Sequence, residues 1–283
     1  MSVLLRLFIL VLIAILPAVA IQAYNEFDLQ RSREKEVREN ALRLAQFASG
    51  EMDRIVDNAR GLLTALSSLA EIRNHEAKPC SDYLSELKKA FPQYTVIGAL
   101  DLDGHPFCAS SDATGVTAAD RPYFTRAVET GRFTVGESMV GRIVPKRVLP
   151  LALPFLDLDG RIAGVVYVSL DLDWLALYLE QKPLDGSATV AIADRDGSLL
   201  ARIPDNARFA GTRFTEAYMP YVHAKGPGTD EITGVDGVVR ILGYVPADHA
   251  PSTLYVGVGL TKDRVGDPRR RADYSNPFAV IPP

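Results

Sequence analysis

The chain has 283 residues, 47% of them hydrophobic and 23% charged, with a formal net charge of −4. That composition supplies apolar material for one large packed domain or two small ones, and it lacks the basic excess that nucleic-acid binding requires. Two cysteines exclude a disulfide framework but allow a single bridge.

The first segment, "LFILVLIAILPAVAIQAY", runs about 18 residues without a charge, near the lower limit for a membrane-spanning helix. Only Arg6 and the amino terminus precede it, which favours a cytoplasmic start and export of the chain beyond it. "AVA" and "IQA" also fit a cleaved signal peptide. The segment continues directly into a helical pattern, so residues 1–24 are read as a retained signal-anchor in the bacterial inner membrane, with the bulk of the chain in the periplasm.

Residues 25–73 predict one long stalk and packing helix. No proline falls between Glu26 and Arg73, and apolar residues recur at Val37, Ala41, Leu44, Ala48, Met52, Ile55, Ala59, Leu62, Leu66 and Leu69. Such a helix would reach roughly 70 Å. Its period also suits a partner helix, so a homodimer through this element is an expectation.

Beyond Pro79 the texture becomes strand-rich. "TVIGALDLDGHPFCAS", "LPLALPFLDLDGRIAGVVYVSLDL" and "ATVAIADRDGSLLARI" each join two apolar runs through Asp-Gly, and "DEITGVDGVVRILGYV" is a weaker copy followed by the strand "STLYVGVGL". Short helices are expected around "DRPYFTRAVETG" and "LDWLALYLEQ". The order repeats after roughly 90 residues, giving two antiparallel-sheet units with helices beside them, an α+β arrangement. The units are placed at 74–183, distal to the membrane, and 184–262, proximal to it. Residues 263–283 read as a basic, proline-rich disordered tail, too polar to cross a membrane.

"VIGALDLDGHPFCAS", "DRPYFTRAVETGRFTVGE" and "LPLALPFLDLDGRIAGVVYVSLDLDWL", placed after a long anchored helix, resemble the double Cache sensor domain, the PAS-like module of bacterial diguanylate cyclases, sensor histidine kinases and chemoreceptors. The resemblance covers roughly residues 25–262. It implies a small-molecule pocket in the distal unit, covered by the segment after the first hairpin. In that setting Arg121 would offer a planar fork of donors to an anion, with Tyr123 and Phe124 as aromatic walls. Strand alternation puts Val166, Val168 and Leu170 on one face, for the long helix, and Tyr167, Ser169 and Asp171 on the other. Asp171 would then take an amine or pair with Arg121, and the pair would suit a zwitterion. Amino-acid-binding relatives carry Trp-Tyr and a nearby Asp where this chain has Tyr123, Phe124 and Arg126, which weakens an amino-acid grip and leaves a small anionic or zwitterionic metabolite. A purely structural reading of "DRPYF" is a helix start, with Asp120 as N-cap, Pro122 in the first turn and the aromatics in the core. Arg142, Lys146 and Arg147 read as a solvated hairpin tip.

Cys80 and Cys108 form a disulfide in this reading, since an exported pair is oxidised; two independent buried thiols are the alternative. No enzyme, cofactor or metal is implied: His75, His105, His223 and His249 are scattered, and no phosphate loop or nucleophile elbow is present. The "DLDG" turns lack the closing glutamate of a calcium loop. The function expected is therefore ligand sensing at the membrane without an output domain, and the alternative is an exported adaptor that binds protein and no small molecule.

Overall fold

The computed structural model describes residues 3–157, 159–182 and 188–261; among residues 3–30 only the side chains of Gln22 and Tyr24 are included. The expected tail at 263–283 lies outside the described residues, and of the expected anchor at 1–24 the backbone is described from residue 3 but the side chains only at Gln22 and Tyr24. Over the described residues no helix is long and apolar enough to cross a membrane.

Helix α1 (Val3–Leu66) spans 64 residues, about 96 Å at 1.5 Å per residue. Its buried stripe runs through Val37, Ala41, Ala45, Ala48, Met52, Val56, Ala59, Leu63 and Leu66. The stripe passes one position beyond the expected Leu44, Ile55 and Leu62, which are only partly buried. The helix also stops short of Arg73. The Thr64 hydroxyl bonds back to the Arg60 carbonyl, and the Ser67 and Ser68 hydroxyls both take the Thr64 carbonyl. Such local bonds compete with the helical ladder and end it. A four-residue turn α2 (Ala70–Arg73) and helix α3 (Ala77–Ala90) come next.

The first sheet is built from β1 (Tyr94–Leu100), β2 (Pro106–Ala109), β3 (Thr134–Val135), β4 (Met139–Val140), β5 (Arg147–Leu156) and β6 (Ile162–Asp171), in the order β2-β1-β6-β5-β3 with β4 also on β5. Helix α4 (Pro122–Thr130) lies between β2 and β3, and α5 (Leu172–Glu180) succeeds β6. The second sheet comprises β7 (Ala188–Ala193), β8 (Leu199–Ile203), β9 (Gly228–Thr233), β10 (Val239–Val245) and β11 (Tyr255–Thr261), ordered β8-β7-β11-β10-β9. Between β8 and β9 come α6 (Asn206–Phe209), a 3₁₀ turn (Glu216–Tyr218) and α7 (Met219–Val222). The two sheets share one antiparallel connectivity, which makes the fold α+β with two PAS-like units in tandem.

The four Asp-Gly hairpins share one turn chemistry. Gly104, Gly160, Gly197 and Gly237 all have φ between 77° and 80°, a conformation only glycine adopts without strain. In three of them an earlier aspartate closes the turn: Oδ1 of Asp101, Asp157 and Asp194 each accepts two backbone N–H groups, from residues two and four positions on. These are Asx turns, which pre-form the hairpin locally. Asp194 also reaches out of its own sheet, accepting the Ser138 N–H from the first unit through Oδ2 at 3.2 Å.

Both sheets lay one face on α1. Val166, Val168 and Leu170 of β6, Leu149 and Leu151 of β5, and Val256, Val258 and Ile241 of the second sheet join the helix stripe in one continuous core. The approach is closest at β10, where a Cβ on Gly243 would lie 2.2 Å from the Ala41 carbonyl group. Helix α5 is tied to α1 by buried Glu51. Its Oε2 accepts the Tyr178 hydroxyl and the Lys182 ammonium at 2.7 Å each, and its Oε1 accepts Arg54 at 2.6 Å. Those donors, led by Lys182, hold the Glu51 pKa below the usual glutamate value.

Candidate functional site

The face of the first sheet turned away from α1 carries Val96, Ala152, Val165 and Tyr167, and α4 covers it. Helix α4 begins with Pro122 at its first turn, where its missing N–H costs nothing, and ends at Gly131 in the left-handed conformation. Its N-cap is Arg121 with extended backbone and no side-chain cap. Asp120 therefore does not cap the helix as expected. Its carboxylate instead meets the Arg142 guanidinium in a two-pronged pair at 2.6 and 2.7 Å, and Arg142 also donates to the Thr117 carbonyl at 2.7 Å. The pair pulls the Asp120 pKa down to about 2. It links the start of α4 to the loop between β4 and β5.

Beneath these two segments lies a cavity of about 50 Å³, lined by Thr95, Arg121, Tyr123, Tyr167 and Ser169 and closed by Met139, Ile143 and Val144 among others. The Tyr123 and Tyr167 rings lie 6.2 Å apart in the tilted arrangement usual for aromatic pairs. Burial raises the Tyr123 phenol to about 12 and pushes Tyr167 higher still, so both keep their protons. The Tyr167 ring occupies space that a side chain on Gly98 would fill, since a Cβ there would come within 2.8 Å of it. Among the described residues, the Arg121 guanidinium makes one hydrogen bond, to the Val140 carbonyl at 3.3 Å. Arg121 thus lines, with a single long hydrogen bond of its own, a cavity whose other walls are mostly apolar.

Four expected site residues thus come together: Arg121, Tyr123, Tyr167 and Ser169. Two do not. Phe124 is buried in the apolar cluster under α4 and does not line the cavity. Asp171 ends β6 on the expected face, but its Oδ1 caps α5 by accepting the Asp173 and Trp174 N–H groups, and its Oδ2 takes the Lys146 ammonium at 2.8 Å. It neither reaches Arg121 nor offers a free carboxylate. The cations expected at a solvated tip are each paired: Arg142 with Asp120, Lys146 with Asp171, and Arg147 with Asp173 at 3.2 Å. Arg126 pairs with Glu137. On the other side of the sheet, Cys80 of α3 and Cys108 of β2 are joined through their sulfurs, 28 residues apart in sequence. Asp101, Asp103 and His105 bring ligand atoms within 4.8 Å of one another, but this cluster is the first hairpin turn, and the Asp101 carboxylate already holds its backbone.

Known proteins share this fold of two sheets in tandem behind one long helix. The sequence model of the family described as the Cache domain matches residues 29–267. The chain belongs to the Cache-domain family. Among solved structures, the ligand-binding domain of the Pseudomonas fluorescens chemoreceptor CtaA, solved with L-isoleucine, shares this fold at a TM-score of 0.67. That match is 20% identical and covers 84% of this chain and 98% of that one. The ligand-binding domain of the Campylobacter jejuni chemoreceptor Tlp3, solved with L-valine, gives 0.62 at 11% identity, covering 84% and 98%. Sporulation kinase D of Bacillus subtilis is 19% identical over 196 residues, which is 69% of this chain and 38% of the kinase. The chain therefore spans well under half the length of that curated relative. Cache domains are extracellular sensor domains of membrane kinases and receptors, and this Cache domain keeps their architecture.

Proposed function

We propose that this Cache domain is the extracytoplasmic sensor of a signalling protein, and that its first unit binds a small metabolite through a carboxylate or similar anionic group held by Arg121. The observation that carries the reading is the Arg121 guanidinium, with one long hydrogen bond of its own, on the wall of an otherwise mostly apolar cavity. The solved chemoreceptor domains hold branched amino acids. In this chain the carboxylate end of such a ligand has a partner in Arg121, whereas Asp171, the residue that would take its amine, already holds Lys146 and caps α5. The ligand class is therefore anionic first and zwitterionic second.

A cavity of about 50 Å³ holds a few waters, far below the roughly 300 Å³ at which ordinary ligand pockets begin. Entry of a metabolite requires β4 with Met139 and the loop after it with Ile143 and Val144 to move outward, and the Asp120–Arg142 pair is the contact that releases them. In this proposal residues 1–24 anchor the chain in the inner membrane, α1 carries the response toward the membrane, and two chains pair along α1. A ligand shifts such an equilibrium only as far as its affinities for the two states differ.

The test is a thermal-shift screen of the full chain in neutral detergent against organic acids, amino acids and amines. A ligand at a hundred times its dissociation constant stabilises a fold by about 2.7 kcal/mol. A hit among the acids that loses at least ~2 kcal/mol of binding in Arg121→Ala, with folding retained, supports the proposal. A hit that binds Arg121→Ala as well as it binds the parent chain sinks it.

A further inference from the structure

The second sheet has a cavity of its own, and we infer that it is a separate site for a small carboxylate-class anion. It encloses about 40 Å³ on the face of the sheet turned away from α1, and Arg202, Arg240, Tyr255, Gly257 and Gly259 are among its walls. Sequence spacing does not reveal this site, because its charged members are scattered over β8, the β9–β10 turn and β10. The signals are an arginine at an inward strand position in "LLARI" and alternating glycines in "VGVGL".

The charge balance is unequal. The Asp236 carboxylate holds both guanidiniums, accepting Arg202 Nη2 at 2.6 Å and Arg240 Nη1 and Nη2 at 2.6 and 2.8 Å. The side chains of Arg202 and Arg240 are 3% and 11% exposed. Two nearly buried positive charges thus face one carboxylate, and the neighbouring Asp205, 3.8 Å from Arg202, is mostly in solvent. Buried charge of one sign is costly unless it is matched, so the cluster favours a second anion.

Among the described residues, two polar groups of the side chains that line this cavity lack partners. Arg240 Nε and the Tyr255 hydroxyl are both buried without a hydrogen bond, and Tyr255 is only 1% exposed. Nε–H is a donor and the phenol can donate, so the missing partner is an acceptor. The strand beneath them is bare. A Cβ on Gly257 would lie 2.7 Å from the Tyr255 oxygen, and one on Gly259 would lie 2.7 Å from Arg240 Cδ. One carboxylate oxygen on Nε–H and the other on the phenol would satisfy both groups and balance the arginines, with its short apolar end toward Leu242, Ile232 and Phe214. The site is independent of the Arg121 cavity in the first unit.

The experiment titrates the full chain with sodium acetate and sodium propionate at constant ionic strength, with acetamide as the uncharged control, read by calorimetry and thermal shift. Acetate or propionate is expected to bind and stabilise while acetamide does not. Tyr255→Phe is expected to weaken binding at least fivefold while leaving the empty protein as stable as the parent, because the hydroxyl it removes has no partner. In an Arg121→Ala background, where the first-unit clamp is gone, binding of both anions that Tyr255→Phe weakens is still expected. No stabilisation by either anion, equal binding to Tyr255→Phe, or loss of binding in Arg121→Ala would each overturn the assignment, the last by moving the anion to the first unit. An empty Tyr255→Phe chain that is markedly less stable would overturn the premise that the hydroxyl lacks a partner.

Discussion

Replacing Gly243 with alanine tests the contact on which the two-sheet architecture rests. A Cβ at this position would lie 2.2 Å from both C and O of Ala41 and 2.5 Å from the Leu42 nitrogen. All three are backbone atoms of α1, so no rotamer change relieves the overlap. An ordinary contact needs about 3.5 Å, so helix and strand must part by roughly 1.3 Å, and gaps of about 0.5–1 Å already forfeit a quarter to a half of each dispersion contact along the seam. Overpacking of this kind costs about 1–3 kcal/mol or more, and the unfolded-state entropy that alanine removes offsets only about 0.5 kcal/mol. We expect a net loss of about 2 kcal/mol, which for a chain of this size lowers Tm by roughly 4–8 °C. The assay is thermal unfolding followed by circular dichroism, with Gly226→Ala as the control because a methyl group there meets nothing within 4 Å. A Gly243→Ala chain that melts within about 2 °C of the parent would refute the close packing of α1 on the second sheet and the size of the penalty derived from it.

Glu51→Gln removes the charge that ties α5 to α1, and it should cost about 2 kcal/mol at neutral pH in urea denaturation. The folded pKa of Glu51 is depressed, so its contribution is present above the ordinary value of 4.5 and is lost as pH falls through the folded pKa. The gap between parent and variant should therefore narrow below about pH 4.5, and a gap that does not change with pH would contradict the charge assignment. The Cys80–Cys108 bridge closes a loop over 28 residues, for which the chain-entropy estimate is roughly 3.5 kcal/mol. Mass analysis without reductant should show the linked pair, and Cys80→Ser with Cys108→Ser should lower stability by that order; two freely alkylatable thiols in the oxidised protein would contradict it.

Much of this architecture is legible in the sequence because its signals are local. Each Asp-Gly hairpin carries its turn and its alternation within a dozen residues, and the helix stripe repeats turn after turn. The two-residue strands β3 and β4 carry no period to read, and the α6–α7 excursion is made of single turns held by neighbours. At the site, alternation puts Tyr167, Ser169 and Asp171 on the correct face, but facing the cavity is not the same as reaching it. Asp171 stands immediately before the apolar run "LDWLALYLE", and an aspartate in that position is a helix N-cap signal. That local bond prevails over the ligand role. Asp120 shows the converse: beside Pro122 it resembles a cap, yet an arginine 22 residues away holds it. Pairings across such distances depend on which loops the fold brings together, and sequence spacing does not encode them.

The Asp194 carboxylate closes a turn in one unit with one oxygen and grips the other unit with the second. Its partner, Ser138, immediately precedes Met139, which lines the first cavity. The lip of that cavity is therefore pinned to the second sheet's leading hairpin. With α1 joining the units along one side and this pin joining them on another, hinge-like rocking of one unit on the other is constrained at two separated points. An outward movement of the lip either breaks the pin or drags the second sheet with it.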